Sequence, residues 1–338
     1  MNLEINATCH RQHRYGPTRF RTKQSSLEKL HSIFQRLIMK LLFLFISLKL
    51  VLSKEIVLND KIANLDQENP VLIQYIKENL LEPPPISPEL INETVNNFRH
   101  YKGHESYSAL VGQYGQPLFL EKLFGLLVSP DDQSQRFFIE AGAFDGVTGS
   151  NTLRFELDDR WTGLLVEPHP VSYEAAKSLQ RNAWTIQTCF SITNHPDTIQ
   201  FDAYESGGAV VNADQEERPC VVLDFPGGID HSELLTMQCM PFYSIIEALG
   251  NPRIDFFSLD IDGVDLQVLY TIPWDKVNIS VLMIETAALG DVFPGTIDEM
   301  LKFLNDKGYV FLKRLSIDDI FIKKTLMHQL VRNGSLSF

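Results

Sequence analysis

Three acidic residues, each closing an apolar run, are the best placed in this sequence to do chemistry. They are Glu140 in FFIEAGAFDG, Glu167 in LLVEPHP and Asp260 in FFSLDIDG. After Glu140 the chain turns through Gly142 and Gly146, where the missing side chains let backbone pass close to a ligand. The spacing is not GxGxxG, which removes a dinucleotide site and with it a nicotinamide-dependent dehydrogenase. A glycine turn alone is also what any tight loop needs. Glu167 follows Gly146 by 21 positions. From the tip of a neighbouring strand its carboxylate can accept both hydroxyls of an adenosine ribose. Asp260, Asp262 and Asp265 crowd a third strand end. Three carboxylates there are costly unless a sulfonium, a metal ion or a substrate proton offsets them. Asp260 then suits a general base for a substrate hydroxyl. Asp262 and Asp265 have a plainer use at a helix N-terminus, which for Asp265 is the expectation.

These residues need a scaffold that brings strand ends together. Short apolar strands are predicted at 137–141, 163–167, 184–188, 255–260, 281–285, 309–313 and 319–322, with helical stretches between several of them. YEAAKSLQRNA at 173–183 places Ala176, Leu179 and Ala183 near one face. TIDEMLKFLNDKGY at 296–309 opens with the Thr296 and Glu299 spacing of a capping box and ends at Gly308. Continuous apolar strands alternating with helices predict a doubly wound α/β sheet covered on both faces. Ligands of such sheets bind beyond the carboxyl ends of the strands.

The chain has 338 residues and a net charge of −13. The charge is uneven. Residues 1–53 carry nine Lys/Arg against Glu4 and Glu28, so the rest is strongly acidic. An acidic body argues against nucleic acid as a partner. The basic segment runs into an apolar stretch at 37–53, LLFLFISLKLVLS at its heart, interrupted by Lys49. A signal-anchor with a cytoplasmic tail and a signal peptide starting near Met39 both fit. Either sends the body into the secretory pathway and, for the anchor, holds it to the membrane. Sequons at Asn92, Asn278 and Asn333 are compatible with that route. So are Cys189, Cys220 and Cys239, which allow one disulfide and one leftover thiol, the pairing left open. Buried unpaired cysteines are the alternative. No Cys/His spacing suggests zinc, and no residue set is assigned to a metal. VLIQYIKENLL at 71–81 suits a short amphipathic helix, and the proline-rich LEPPPISPEL follows it. The expected organisation is a basic tail (1–36), the membrane-directed segment (37–53), a stem (54–106), the α/β domain (107–325) and a C-terminal tail (326–338).

Taken together, IEAGAFDGVTGSNTLRFE, WTGLLVEPHP and IDFFSLDIDGVDLQVLYTIPWDKVNISVLMIE resemble the FkbM family of S-adenosylmethionine-dependent methyltransferases, and within it the animal branch of Star-like membrane proteins. GQYGQ at 112–116 (Gly112 to Gln116), CFS at 189–191 and CMPFYSII at 239–246 add to the likeness. The resemblance implies a seven-stranded methyltransferase-like sheet. It implies that Glu140, Gly142, Ala143, Asp145 and Gly146 hold the methionine part of S-adenosylmethionine, that Glu167 holds the ribose, and that Asp260 lies near the transferred methyl. For the Star-like branch it implies a type II membrane protein of the endoplasmic reticulum and Golgi that moves membrane-tethered growth-factor precursors. The sequence departs from the family at Pro117, at Asp262 and Asp265 where glutamates are usual, and at Thr286-Ala287-Ala288. Two expectations therefore stand side by side: a trafficking protein that keeps the fold, and an active O-methyltransferase on a small-molecule or glycan hydroxyl.

Overall fold

The apolar runs become strands because both faces of the sheet are covered. The computed structural model describes residues 61–85, 112–128, 131–157, 160–204, 207–211 and 233–332. All belong to the unit Glu55–Phe338. In chain order the elements begin with α1 (Pro70–Asn79), β1 (Leu81–Glu82), α2 (Gln116–Leu127), β2 (Arg136–Ala141), β3 (Trp161–Val166), α3 (Pro170–Ser178), β4 (Ala183–Ile186) and β5 (Cys189–Phe190). They continue through β6 (Asp197–Tyr204), β7 (Gly207–Val211), β8 (Glu233–Met240), α4 (Phe242–Ala248), β9 (Ile254–Leu259), α5 (Asp265–Thr271), β10 (Ile279–Glu285), α6 (Ile297–Asp306), β11 (Tyr309–Leu315), β12 (Asp318–Lys323) and α7 (Lys324–Arg332).

The main sheet has the order β1-β4-β3-β2-β9-β10-β12-β11. Its centre, β4 to β10, is parallel, while β1 and β12 run antiparallel to their neighbours. Alternate residues of one strand enter different cores. Ile139 and Phe257 pack with Leu72 and Ile76 of α1, Leu266 of α5, and Met300 and Leu304 of α6. Phe138 and Phe256 pack on the other face with Leu120, Leu123 and Phe124 of α2 and Leu330 of α7. That is the doubly wound arrangement, and it explains why the strands read as unbroken apolar runs. Gly163 has a local reason. A Cβ there would lie 2.3 Å from the ring of Phe138, its partner across the β2–β3 ladder.

The seven predicted strands form, and the sheet has an eighth member, β1, in the segment assigned to the stem. Residues 61–82 are packed on the domain, with Ile62, Leu72 and Ile76 fully enclosed. The amphipathic pattern of α1 was visible, but its mate, the face of α4, lies some 170 positions further on. Likewise the tail beyond 325 begins as α7, whose Leu330 is buried. A second sheet of order β5-β8-β6-β7 was not expected. The helix predicted over 173–183 ends early, at Ser178, and Ala183 opens β4 instead. Gln180 takes a left-handed conformation, which turns the chain and draws Arg181 inward. The capping box of Thr296 and Glu299 forms as predicted. Among the described residues no helix is long and apolar enough to cross a membrane. The basic tail, the segment 37–53, Cys220, Asn92 and Asn333 lie outside the described residues.

Candidate functional site

From β2 the chain passes to β3 and β4 on one side, then returns to β9 on the other. The switch point therefore lies between β2 and β9, and a ligand crevice is expected beyond their carboxyl ends. A cleft of about 320 Å³ opens there. Gly142, Ala143, Glu167, Asp260 and Asp262 are among the residues that line it, so strand ends distant in sequence meet as predicted. The backbone fixes their spacing. Asp260 N donates to Ala141 O at 2.6 Å, Gly142 N donates to Asp260 O at 2.9 Å, and Ala143 N donates to Val166 O at 3.0 Å.

Glu167 lines the cleft with its carboxylate held by two backbone N–H groups. Its Oε2 accepts the backbone N–H of Phe144 at 2.7 Å, and its Oε1 accepts that of His169 at 2.8 Å. Each oxygen keeps a further lone pair. Burial raises this carboxyl to about 7, against the lowering pull of those two N–H donors. His169 caps α3 by accepting Ser172 N at Nδ1, and burial lowers its imidazole to about 4. Gly142 has a steric role: a Cβ there would lie 3.2 Å from Asp260 O and 3.7 Å from Glu167 Oε2.

Glu140 also borders the cleft, but its carboxylate is engaged by the protein. It accepts Asn151 N at 2.5 Å, Thr152 Oγ1 at 2.6 Å and Ser150 Oγ at 2.9 Å. The fully buried Arg181 faces it at 3.4 Å and pairs with Glu156 at 2.6 Å. Arg181 also donates to the Gly146 carbonyl at 2.7 Å. Asp145 accepts Val147 N and Thr148 N through one oxygen, at 2.9 and 2.7 Å. Asp145 and Gly146 are not among the cleft-lining residues. They shape the turn: a Cβ at Gly146 would press on Ala176 of α3 at 3.2 Å. Of the residues expected to touch a cofactor, Glu140 borders the cleft with its carboxylate engaged by the protein, while Asp145 and Gly146 shape the turn behind it. Sequence reasoning did not find Arg181, which reads as an ordinary charge at a helix end.

Asp260 sits deep. Burial pushes its carboxyl well above the ordinary range, and Glu285, Asp262, Asp318 and Glu140 add like charge. Asp265 does not cap the helix that it begins. Its carboxylate turns back to accept Ile261 N at 3.3 Å and Gly263 N at 3.1 Å, bracing the loop that carries Asp262. One wall of the cleft is apolar and comes from the second sheet through Cys189, Phe190, Ile199 and Phe201. Cys189 is disulfide-bonded to Cys239, its register partner across β5 and β8, so the open pairing is resolved among the described cysteines. On the opposite side Gln113 lines the cleft, and Gln116 of the same motif donates to Asp318 at 2.6 Å.

The family model described as Methyltransferase FkbM domain matches residues 140–311, just over half of the chain. No curated protein matches the sequence. Among solved structures, a chain from the crystal structure of a fibrillarin/Nop5p complex is similar over 63% of this chain and 80% of that chain, at 12% identity and a TM-score of 0.32. A likeness that slight carries no argument.

Proposed function

The chain belongs to the FkbM methyltransferase domain family, and on that premise we propose that its cleft binds S-adenosylmethionine for methyl transfer to an acceptor oxygen. The observation that carries this reading is Glu167, a buried carboxylate at the tip of β3 with both oxygens held by backbone N–H groups and lone pairs left for two ribose hydroxyls. The other residues present fit the cofactor. Glycine at 142 leaves open the space between Glu167 and the Asp260 carbonyl, which a Cβ would narrow. Asn151 lines the same cleft, and its Oδ1 is buried without a hydrogen-bond partner, an acceptor for an ammonium group. The turn from Ala141 to Phe144 would hold the methionine part and Glu167 the ribose.

When bound, the cofactor supplies an electrophilic methyl on a sulfonium. The protein's share is alignment and proton acceptance. Asp260 lines the cleft and is fixed by backbone bonds on both sides, so one of its oxygens is held where it can take the proton of an acceptor hydroxyl. The apolar wall of Phe190, Ile199 and Phe201 excludes water from the acceptor side. Calorimetry of the full chain with S-adenosylmethionine and with its demethylated product tests the reading. Absence of binding to both would sink it.

A second reading has its own support. A Star-like membrane protein of the endoplasmic reticulum and Golgi, carrying membrane-tethered growth-factor precursors, would have a basic cytoplasmic tail, a membrane segment at 37–53 and a luminal domain. In the sequence a basic segment and then an apolar one precede the domain, and the Cys189–Cys239 bond is of a kind that persists in oxidising compartments. Glycosidase treatment of protein made in cells should lower its mass. No shift, where control glycoproteins shift, would count against a luminal domain.

A further inference from the structure

We propose that Asp260, Asp262 and Glu285 form a divalent-cation site at the acceptor end of the cleft. The three side chains offer oxygens that all lie within 4.8 Å of one another. Glu285, the last residue of β10, is only 8% exposed, and its Oε2 is buried with no hydrogen-bond partner. Its ladder partner Asp318 already accepts from Gln116, so of the two it is Glu285 that keeps a buried oxygen without a partner. Among the described residues no ion pair reaches any of the three. Nearby arginines have other partners: Arg181 faces Glu140 and Glu156, and Arg314 pairs with Asp319.

The backbone brings the three together deliberately. Asp260 is clamped to the end of β2 through Ala141 and Gly142. Asp262 has a φ of 54°, a left-handed conformation held by the two bonds from the loop to the Asp265 carboxylate. Gly263, with a φ of 90°, presses so closely on the next loop that a Cβ would fall 2.6 Å from the Ala288 carbonyl. The loops after β9 and β10 are thereby locked face to face. An all-carboxylate set with no thiolate or imidazole selects a hard ion, Mg²⁺, Mn²⁺ or Ca²⁺. Asp260 and Asp262 line the cleft, so the ion's remaining positions face the space where an acceptor would lie. A cation there holds an acceptor oxygen and makes its hydroxyl more acidic. The substrate class that fits is an oxygen-rich one, such as a sugar or other polyol. This substrate assignment rests on the methyl-transfer reading; the ion site itself does not.

The probe is Mn²⁺ added to the full chain without any methyl donor, with free Mn²⁺ followed by electron paramagnetic resonance. One tight equivalent is expected, displaced by excess Mg²⁺. Glu285→Gln and Asp262→Asn should each weaken it by at least about tenfold, the scale that lost site contacts cost metal centres. Glu121→Gln, at an exposed acid paired with Arg154, should leave it unchanged. Circular dichroism establishes which variants are folded. Asp262 has an exposed side chain, so its variant reports even if Glu285→Gln disturbs the core. Absence of a tight equivalent in the natural protein overturns the proposal, as does an unchanged affinity in folded Asp262→Asn. Because no donor is present, failure of cofactor binding and failure of ion binding are read separately.

Discussion

Replacing Glu167 by glutamine should weaken cofactor binding and remove most of its pH dependence. The carboxylate accepts Phe144 N through one oxygen and His169 N through the other. Glutamine keeps one acceptor and turns an NH₂ toward a backbone N–H. It also loses the charge that strengthens a bond from a ribose hydroxyl. A lost charge-assisted hydrogen bond costs about 1.5–3 kcal/mol, or roughly 10- to 150-fold in affinity. The pH dependence follows from burial, which raises Glu167 to about 7. The ribose is best held by the ionised form, so protons compete with the cofactor and affinity rises with pH through about 7. Between pH 8 and pH 6 the ionised fraction falls by about an order of magnitude, and the natural protein should bind about tenfold more weakly at pH 6. His169, lowered to about 4, stays neutral throughout and adds nothing. The assay is calorimetry with the demethylated cofactor at both pH values, on the natural protein and the variant in parallel. The ligand's own titration appears in both and cancels in the comparison. An equal pH dependence in the two proteins, or an unchanged affinity at pH 8, would refute the ribose assignment.

Three further outcomes concern the scaffold. Arg181→Met should lower unfolding free energy by about 3–5 kcal/mol, because Glu140 and Glu156 would remain buried without their cation; urea denaturation reads this. Gly163→Ala forces a methyl into the Phe138 ring and should cost about 1–3 kcal/mol by the same measurement, with little effect on ligand affinity if the sheet absorbs the shift locally. Cys189→Ser opens a loop spanning 50 positions and should cost about 4 kcal/mol on the chain-entropy estimate. Alkylation of the natural protein under denaturing conditions, followed by peptide mass analysis, should label Cys189 and Cys239 only after reduction.

The central strands were legible because each is a run of apolar residues with a definite end, and burial on both faces leaves little room for polar interruptions. Glu167 and Asp260 were legible for the same reason: an ionisable group closing such a run has to sit at the rim of the sheet. Glu140 looks identical by that criterion, yet it turns inward, because Ser150, Asn151 and Thr152 from one later segment and Arg181 from another arrive to satisfy it. No local pattern encodes that arrival. The same holds for α1 and β1, whose proline-rich sequel resembles a linker while their own partners lie far along the chain. The second sheet was hidden by its composition. The strands β6 and β8 alternate polar and apolar residues without the marked run that identifies a central strand, and only their pairing with each other and with β5 places β5 and β6 as a wall of the cleft.

The buried Arg181 network has a kinetic consequence. Arg181 lies in the connection between α3 and β4, so it reaches Glu140 only when β2, β3 and α3 are already in place. Before that moment, closing the core around Glu140 and Glu156 would trap two carboxylates without a counter-charge. We expect closure of the cleft loop and insertion of the guanidinium to be one coupled event. Substitutions at Arg181 would then accelerate unfolding and retard folding by a share that reports how far this insertion has advanced in the transition state.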